Sequence, residues 1–284
     1  MGTFLSKDFV DTHLHVFEAG VSSGVAPRYV PSYDAPLRDW LVLAGRAGVS
    51  RGVLVQPSFL GTDNTRLLNE LHTHPDMLRG VAVVCPDVAQ AELQVMHDAG
   101  VRGVRLNLAG ASHDLQPWHQ SPRFWDSLQA FGWHLELHTD AGALPAVLGQ
   151  VPQGICVVLD HMGKPQGASL HDPSFRAALR RSERSPLFVK LSGPYRLQGL
   201  DAAELTRLWL QAIGPDRLLW GSDWPWTNHE GEADYAALLG GVEDALGEAS
   251  AFKTLRDSAL ELYDFDLPAA CSAREHAEAG SKKS

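Results

Sequence analysis

Short apolar runs rich in valine and leucine recur at even intervals along this chain. Runs of this length, bounded by glycine or proline, are typical of buried strands, and the longer segments between them show the apolar spacing of helices. Strands are predicted at eight places: 10–17, 51–57, 80–84, 101–108, 133–138, 155–161, 187–192 and 218–224. Helices are predicted at 36–48, 63–72, 86–100, 121–132 and 201–213, with two more between 233 and 264.

The alternation of strands and helices indicates the fold class. Strands joined by helices pair in parallel and are buried on both faces. Eight such units predict an α/β protein, a TIM (β/α)8 barrel built as a single domain with C-terminal helices. A doubly wound open sheet is the alternative, although no G-x-G-x-x-G motif follows a strand as its dinucleotide-binding version requires. The domain is expected to span residues 1–268, and residues 269–284 are expected to form a disordered tail.

Composition narrows the classes of partner. The 284 residues carry a formal net charge of −10 and show no basic stripe, so nucleic-acid binding is not expected. No run is long enough to span a membrane and residues 1–9 lack the apolar core of a signal peptide, so a cytoplasmic protein is expected. Cys85, Cys156 and Cys271 lie far apart, which argues against a disulfide framework or a cysteine-based zinc site. The expected partner is a small molecule, and oligomerisation stays open.

The first predicted strand contains a His-x-His pair, His13 and His15. Side chains at i and i+2 of a strand lie on one face, so both imidazoles are expected to point the same way, with Asp11 behind them on that face. Two imidazoles placed in this way can share one metal ion. The pair on its own is weak evidence, because the chain has 13 histidines.

Polar and ionisable side chains stand where six of the eight predicted strands end. The active site of a (β/α)8 barrel lies at the C-terminal ends of its strands, so these side chains are expected to share one pocket. They are His13, His15, Arg105, Asn107, Glu136, His138, His161, Lys190, Ser192 and Asp223. The chain has no G-x-S-x-G motif, which leaves histidine, carboxylate and water as the means of catalysis.

This set of residues predicts hydrolytic chemistry. Asp223 is the candidate general base, because a carboxylate can take a proton from water. One divalent metal ion, expected to be zinc, would lower the pKa of that water. Its predicted ligands are His13, His15, His138 and Asp223. His161 would be a further ligand or would polarise a carbonyl oxygen. The candidates for holding an anionic substrate are Arg105, Asn107 and Lys164.

Four motifs together resemble the amidohydrolase superfamily and, more narrowly, its amidohydrolase-2 branch. They are Asp-Thr-His-Leu-His-Val-Phe at 11–17, Gly-Val-Arg-Leu-Asn at 103–107, Leu-Asp-His-Met-Gly-Lys-Pro at 159–165 and Trp-Gly-Ser-Asp-Trp-Pro at 220–225. The resemblance spans almost the whole chain. It implies a hydrolase that opens a carboxylated or sugar-derived lactone with water activated by Asp223, while His13, His15 and His161 surround the carbonyl, with or without a metal.

The chain also departs from one member of that branch, 2-pyrone-4,6-dicarboxylate lactonase. That enzyme works without a metal and has a tyrosine at the position that resembles His138, so the histidine here restores a candidate ligand. It also has an arginine where Lys164 stands, and extra arginines that the stretch after the fourth strand lacks. The resemblance therefore implies a less highly charged lactone than the pyrone dicarboxylate.

Two other functions stay open at this point. Some members of the branch are metal-dependent non-oxidative decarboxylases of aromatic or unsaturated acids, and a protein with the same pocket could bind a ligand without turnover. A polar stretch at 18–36, containing Tyr29 and Tyr33, is long for a turn and is interpreted as a lid or binding loop.

Overall fold

The eight predicted strands form one parallel sheet in which each strand pairs with the next along the chain. Residues 7–22 and 29–265 are described here, from a computed structural model. The strands are β1 (Phe9–Leu14), β2 (Val49–Val55), β3 (Leu78–Ala82), β4 (Val101–Asn107), β5 (His134–His138), β6 (Val157–Leu159), β7 (Leu187–Leu191) and β8 (Leu218–Trp220). This order is that of a (β/α)8 barrel and not of a doubly wound sheet, so the predicted fold is confirmed.

The barrel closes where β1 meets the residues that follow β8. The Asp223 N–H donates to the His13 carbonyl at 2.8 Å, and the His15 N–H donates to the Trp224 carbonyl at 2.9 Å. Gly221 permits this approach, because a Cβ atom there would lie 2.4 Å from the Cβ of His13. The closure therefore places the His-x-His pair beside Asp223.

Helices surround the sheet, and there are more of them than the apolar spacing predicts. They are α1 (Leu37–Ala47), α2 (Thr65–Thr73), α3 (Gln90–Asp98), α4 (Gln116–His119), α5 (Pro122–Ala130), α6 (Leu144–Leu148), α7 (Pro173–Ser182), α8 (Ala202–Ile213), α9 (Tyr235–Leu246), α10 (Glu248–Phe252) and α11 (Ser258–Leu262). The short helices α4 and α6 cover too few turns to show a helical period. The third helix missed from sequence, α7, begins after Asp172, whose side chain accepts from the Ser174 N–H.

In two of the strands the chain turns before it reaches the site residue that the sequence predicts within the strand. β6 ends at Leu159 and β8 at Trp220. His161 has a φ of 47° and Asp223 a φ of 57°, which lie in the left-handed region and not in the extended region of a strand. Both side chains therefore project from turns at the C-terminal mouth of the barrel. Left-handed conformations of residues other than glycine are common at functional sites.

Asp11 does not lie behind the two histidines, contrary to the sequence-based expectation. Along β1 the register shifts, since Asp11 pairs with Gly52 and Leu14 with Leu54, so three steps on β1 match two on β2. This irregularity turns Asp11 outward. Its carboxylate accepts from Trp40 Nε1 of α1 at 2.9 Å and from the Tyr235 hydroxyl of α9 at 3.0 Å.

Three expectations concern features away from the site. Among the described residues, Cys85 and Cys156 are free thiols, while Cys271 and the predicted tail at 269–284 lie outside those residues. In the same part of the chain, every helix is too short or too polar to cross a bilayer.

Candidate active site

One pocket of about 770 Å³ opens at the C-terminal mouth of the barrel. The strand ends and the loops after them supply its wall, as the barrel architecture predicts. Seven of the eight sequence-predicted site residues line it directly: His15, Arg105, Asn107, His138, His161, Lys164 and Asp223. The eighth, His13, is fully buried beneath them. The structure thus brings together side chains from β1, β4, β5 and the turns after β6 and β8.

The floor of the pocket holds three converging atoms, which are His13 Nε2, His15 Nε2 and Asp223 Oδ1. His15 Nδ1 lies 2.7 Å from the Val55 carbonyl oxygen, which can only accept, so the proton is on Nδ1 and the Nε2 lone pair is free to face the pocket. His13 Nε2 has no hydrogen-bond partner among the described residues. Both Nε2 atoms lie 3.6 Å from Asp223 Oδ1. These atoms all lie within 4.8 Å of one another, an arrangement that could hold a metal ion.

Asp223 is bound through one of its two oxygens. The Tyr195 hydroxyl and the Arg196 Nε both donate to Oδ2, each at 2.7 Å. Burial by itself would raise the pKa of Asp223, but the Arg196 guanidinium, followed by the neighbouring histidines, holds it well below its usual range. The carboxylate is therefore ionised, and its other oxygen faces His13 and His15.

His161 is held from the turn after β7. The backbone N–H of His161 donates to Ser192 Oγ at 3.3 Å, and the ring nitrogen Nδ1 lies 3.0 Å from the same hydroxyl. Gly193 follows with a φ of 56°, and a Cβ atom there would lie 2.8 Å from His161 Nδ1. Burial lowers the pKa of His161 to about 3, so the ring is neutral. If Ser192 donates its proton to Nδ1, Nε2 carries the ring proton.

His138 stands apart from the converging trio. Arg105 Nη2 lies 3.4 Å from His138 Nδ1, and a guanidinium can only donate, so Nδ1 accepts and Nε2 carries the proton. Burial holds the pKa of His138 well below its usual range, so the ring is neutral. Its ring lies 4.7 Å from that of His161, edge to face. Within the described residues, the clusters able to hold a metal do not include His138.

A buried ionic quartet lies under the site. It consists of two cations and two anions on neighbouring strands: Arg105, Lys190, Glu136 and Asp160. Lys190 is bound to Glu136, and Arg105 donates from Nε to Asp160 Oδ2 at 2.9 Å. Burial would raise the pKa of Asp160, but the Arg105 guanidinium holds it well below its usual range, whereas burial and then the Asp160 charge raise the pKa of Glu136 against the opposing effect of Lys190.

The quartet reaches the trio through one imidazole. His13 Nδ1 lies 3.2 Å from Asp160 Oδ1 and 3.3 Å from Lys190 Nζ. The Asp160 carboxylate favours a proton on Nδ1 and a lone pair on Nε2, as in the carboxylate–histidine pairs of metal sites, whereas the Lys190 ammonium can only donate and favours the opposite tautomer. The quartet therefore supports His13 from below.

Sequence reasoning missed two residues of the site, Asp160 and Tyr195, and gave a third, Arg196, less weight than Arg105 or Lys164. Asp160 immediately precedes His161, in the motif from which only the histidine was singled out. The other two belong to a single 3-10 turn, Pro194–Arg196, that directly follows β7. The rule that loops after barrel strands build the active site would have indicated both.

Comparisons with known proteins agree with this architecture. The amidohydrolase family matches residues 10–265. A 2-pyrone-4,6-dicarboxylate hydrolase from Comamonas testosteroni is 32% identical over 239 residues, which cover 77% of each chain. A 4-sulfomuconolactone hydrolase from Rhizobium radiobacter is 29% identical over 246 residues, covering 81% of this chain and 79% of the relative. A Pseudomonas putida structure assigned as a 2-pyrone-4,6-dicarboxylic acid hydrolase is 39% identical, with a TM-score of 0.83, and covers 93% of this chain and 100% of its own.

Fold and site together define a (β/α)8-barrel hydrolase with its polar pocket at the strand ends. The chain belongs to the amidohydrolase family, as its four motifs predict.

Proposed function

We propose that the protein opens the ring of a carboxylated lactone by attack of a water molecule on the ring carbonyl, with Asp223 as the general base. The observation that carries this proposal is the state of Asp223, which is ionised, buried and bound through Oδ2 alone. Its Oδ1 faces the two histidines at the floor of the pocket. Relatives that act on lactones support the choice of substrate class.

We include one divalent metal ion, zinc, in the proposal. The orphaned and buried His13 Nε2, the lone pair of His15 Nε2 and Asp223 Oδ1 fit such an ion. The ion would supply Lewis acidity towards the lactone carbonyl. That His138 is a further metal ligand stays a prediction. In the present arrangement its Nε2 carries a proton and therefore has no lone pair for a metal.

The protein groups divide the remaining work. The carboxylate of the substrate would lie against the basic side of the pocket, where Arg105 and Lys164 stand with Asn107. His161, as the neutral tautomer with its proton on Nε2, would donate a hydrogen bond to the carbonyl oxygen as negative charge develops there. These assignments favour an anionic substrate.

The reaction then balances through one carboxylate. Asp223 takes a proton from water as the oxygen of that water bonds to the carbonyl carbon. The tetrahedral species collapses by breaking the bond to the ring oxygen, and the protonated Asp223 returns its proton to that oxygen. The products are a carboxylic acid, which loses its remaining proton to solvent, and an alcohol or enol, and the enzyme is restored.

The test is a panel of lactones with two, one or no carboxylates, followed in ¹⁸O-labelled water. We expect ring opening that is fastest for the singly carboxylated lactones, with one ¹⁸O atom in the new carboxyl group. Zinc content is measured before and after chelation, and Asp223→Asn serves as the control. Release of CO₂ without ring opening would instead indicate the decarboxylase. Cytoplasmic location and oligomeric state stay predictions.

A further inference from the structure

The donors to Asp223 are distributed unevenly between its two oxygens. Tyr195 and Arg196 both donate to Oδ2 at 2.7 Å. The nearest ring nitrogens, those of His13 and His15, lie 3.6 Å from Oδ1. One oxygen is therefore saturated with donors while the other is directed at the pocket.

From this asymmetry we infer that Tyr195 is a positioning residue, which holds Oδ2 so that Oδ1 is the oxygen that receives the proton from water. The inference rests on the proposed function, because it assigns the reacting oxygen of the proposed base. It adds a residue that the sequence did not predict and that acts only through Asp223.

Tyr195 is itself fixed in place, which a positioning residue requires. The Arg196 guanidinium carbon lies 5.2 Å from the centre of the Tyr195 ring, and the His229 ring lies 4.7 Å away on a tilted plane. Arg196 Nη2 also donates to the Thr227 carbonyl at 3.1 Å. The turn after β7 is thus tied to the loop after β8, and the Tyr195 ring contacts a side chain from each segment.

The hydrogen bond from the Tyr195 hydroxyl to Asp223 Oδ2 is charge-assisted. Its acceptor is an ionised and buried carboxylate, and hydrogen bonds to charged groups contribute more than those between neutral groups. Without the Tyr195 hydroxyl, Asp223 Oδ2 would keep a single side-chain hydrogen bond, from Arg196, and the carboxylate could rotate about it. Loss of the hydroxyl should therefore disorder the base without removing a substrate contact.

The experiment compares Tyr195→Phe with Tyr235→Phe. The Tyr235 hydroxyl donates to Asp11 Oδ2 at 3.0 Å, so the control also removes a bond from a tyrosine to a buried carboxylate, but one that does not involve Asp223. We expect Tyr195→Phe to lower kcat about tenfold to hundredfold with KM within about twofold, and Tyr235→Phe to leave kcat within about twofold. Thermal unfolding of both variants checks that they fold.

A crystal structure of Tyr195→Phe gives a second readout that needs no substrate. We expect the Asp223 carboxylate to be rotated or present in two orientations. An unmoved Asp223 with unchanged kcat overturns the inference, and so does a KM raised tenfold at constant kcat, which would make Tyr195 a substrate contact. If the wild-type protein opens no lactone, the proposed function fails, while the crystal structure still decides whether Tyr195 positions Asp223.

Discussion

Two buried aspartates lie on opposite sides of the barrel closure, Asp11 on the outside of β1 and Asp223 on the inside. Both are almost wholly buried, and each accepts a hydrogen bond from a tyrosine. Their other partners differ. Among the described residues, the donors to Asp11 are all neutral, whereas those to Asp223 include the Arg196 guanidinium.

The two carboxylates also differ in how completely their oxygens are used. Asp11 Oδ1 accepts from the Ser222 N–H at 2.8 Å, and Oδ2 accepts from Ser222 Oγ at 2.6 Å, Trp40 Nε1 at 2.9 Å and the Tyr235 hydroxyl at 3.0 Å. Burial raises the pKa of Asp11, in spite of these bonds. Asp11, with both oxygens hydrogen-bonded, joins β1, α1 and α9. Asp223 has one oxygen directed at the histidines, and that oxygen can take part in proton transfer.

The largest expected effect is a loss of kcat on replacing Asp223, which replacing Asp11 should not cause. Asp223→Asn should lower kcat about a thousandfold or more, because the amide cannot act as a base. The free energy of unfolding should fall by about 1–3 kcal/mol, because a largely buried ion pair with Arg196 is lost while the amide oxygen can still accept from Tyr195 and Arg196. Steady-state kinetics and urea unfolding measure the two quantities. A variant with undiminished kcat would remove Asp223 from the mechanism.

The next effect is on stability. Asp11→Ala should lower the free energy of unfolding by about 3 kcal/mol, because it leaves the Trp40 Nε1 and the Ser222 N–H buried without an acceptor. The folded fraction should keep kcat within about fivefold. Urea unfolding with an active-site titration would show it, and a stable but inactive protein would contradict the distinction.

The smallest effect compares the two tyrosines. Tyr235→Phe should lower the free energy of unfolding by about 1 kcal/mol and leave kcat unchanged, since its hydroxyl serves only Asp11. This is the reverse of the pattern expected for Tyr195→Phe. Thermal unfolding and kinetics on both variants are sufficient, and a loss of kcat in Tyr235→Phe would mean that the outer aspartate also acts on the site.

The barrel and most of its pocket could be predicted from sequence, because strand ends converge in this fold whatever the loops do. His15, His161 and Asp223 follow directly from that rule. The alternation of β5 correctly turned Glu136 and His138 inward, but residues two apart differ by about 6.6 Å along a strand. Glu136 therefore lies in the buried quartet below the rim, and only His138 reaches the pocket.

What could not be predicted depends on distant contacts. The outward turn of Asp11 comes from a register shift between β1 and β2, which leaves no local mark in Asp-Thr-His-Leu-His. Similarly, the position of Tyr195 and Arg196 after β7 indicates that they belong to the site, but not what they bind. Their contacts with Asp223 and Thr227 form because the turn after β7 meets the loop after β8, and neither segment carries this information alone. Local patterns specify elements, and packing specifies which side chains meet.

The ionic quartet beneath the pocket restricts how this sequence can vary. Because Arg105, Lys190, Glu136 and Asp160 balance one another away from water, a homologue that loses one charge is left with an uncompensated ion in its core. Replacement is therefore expected in pairs of opposite sign, so that Lys190 and Glu136 should covary across an alignment.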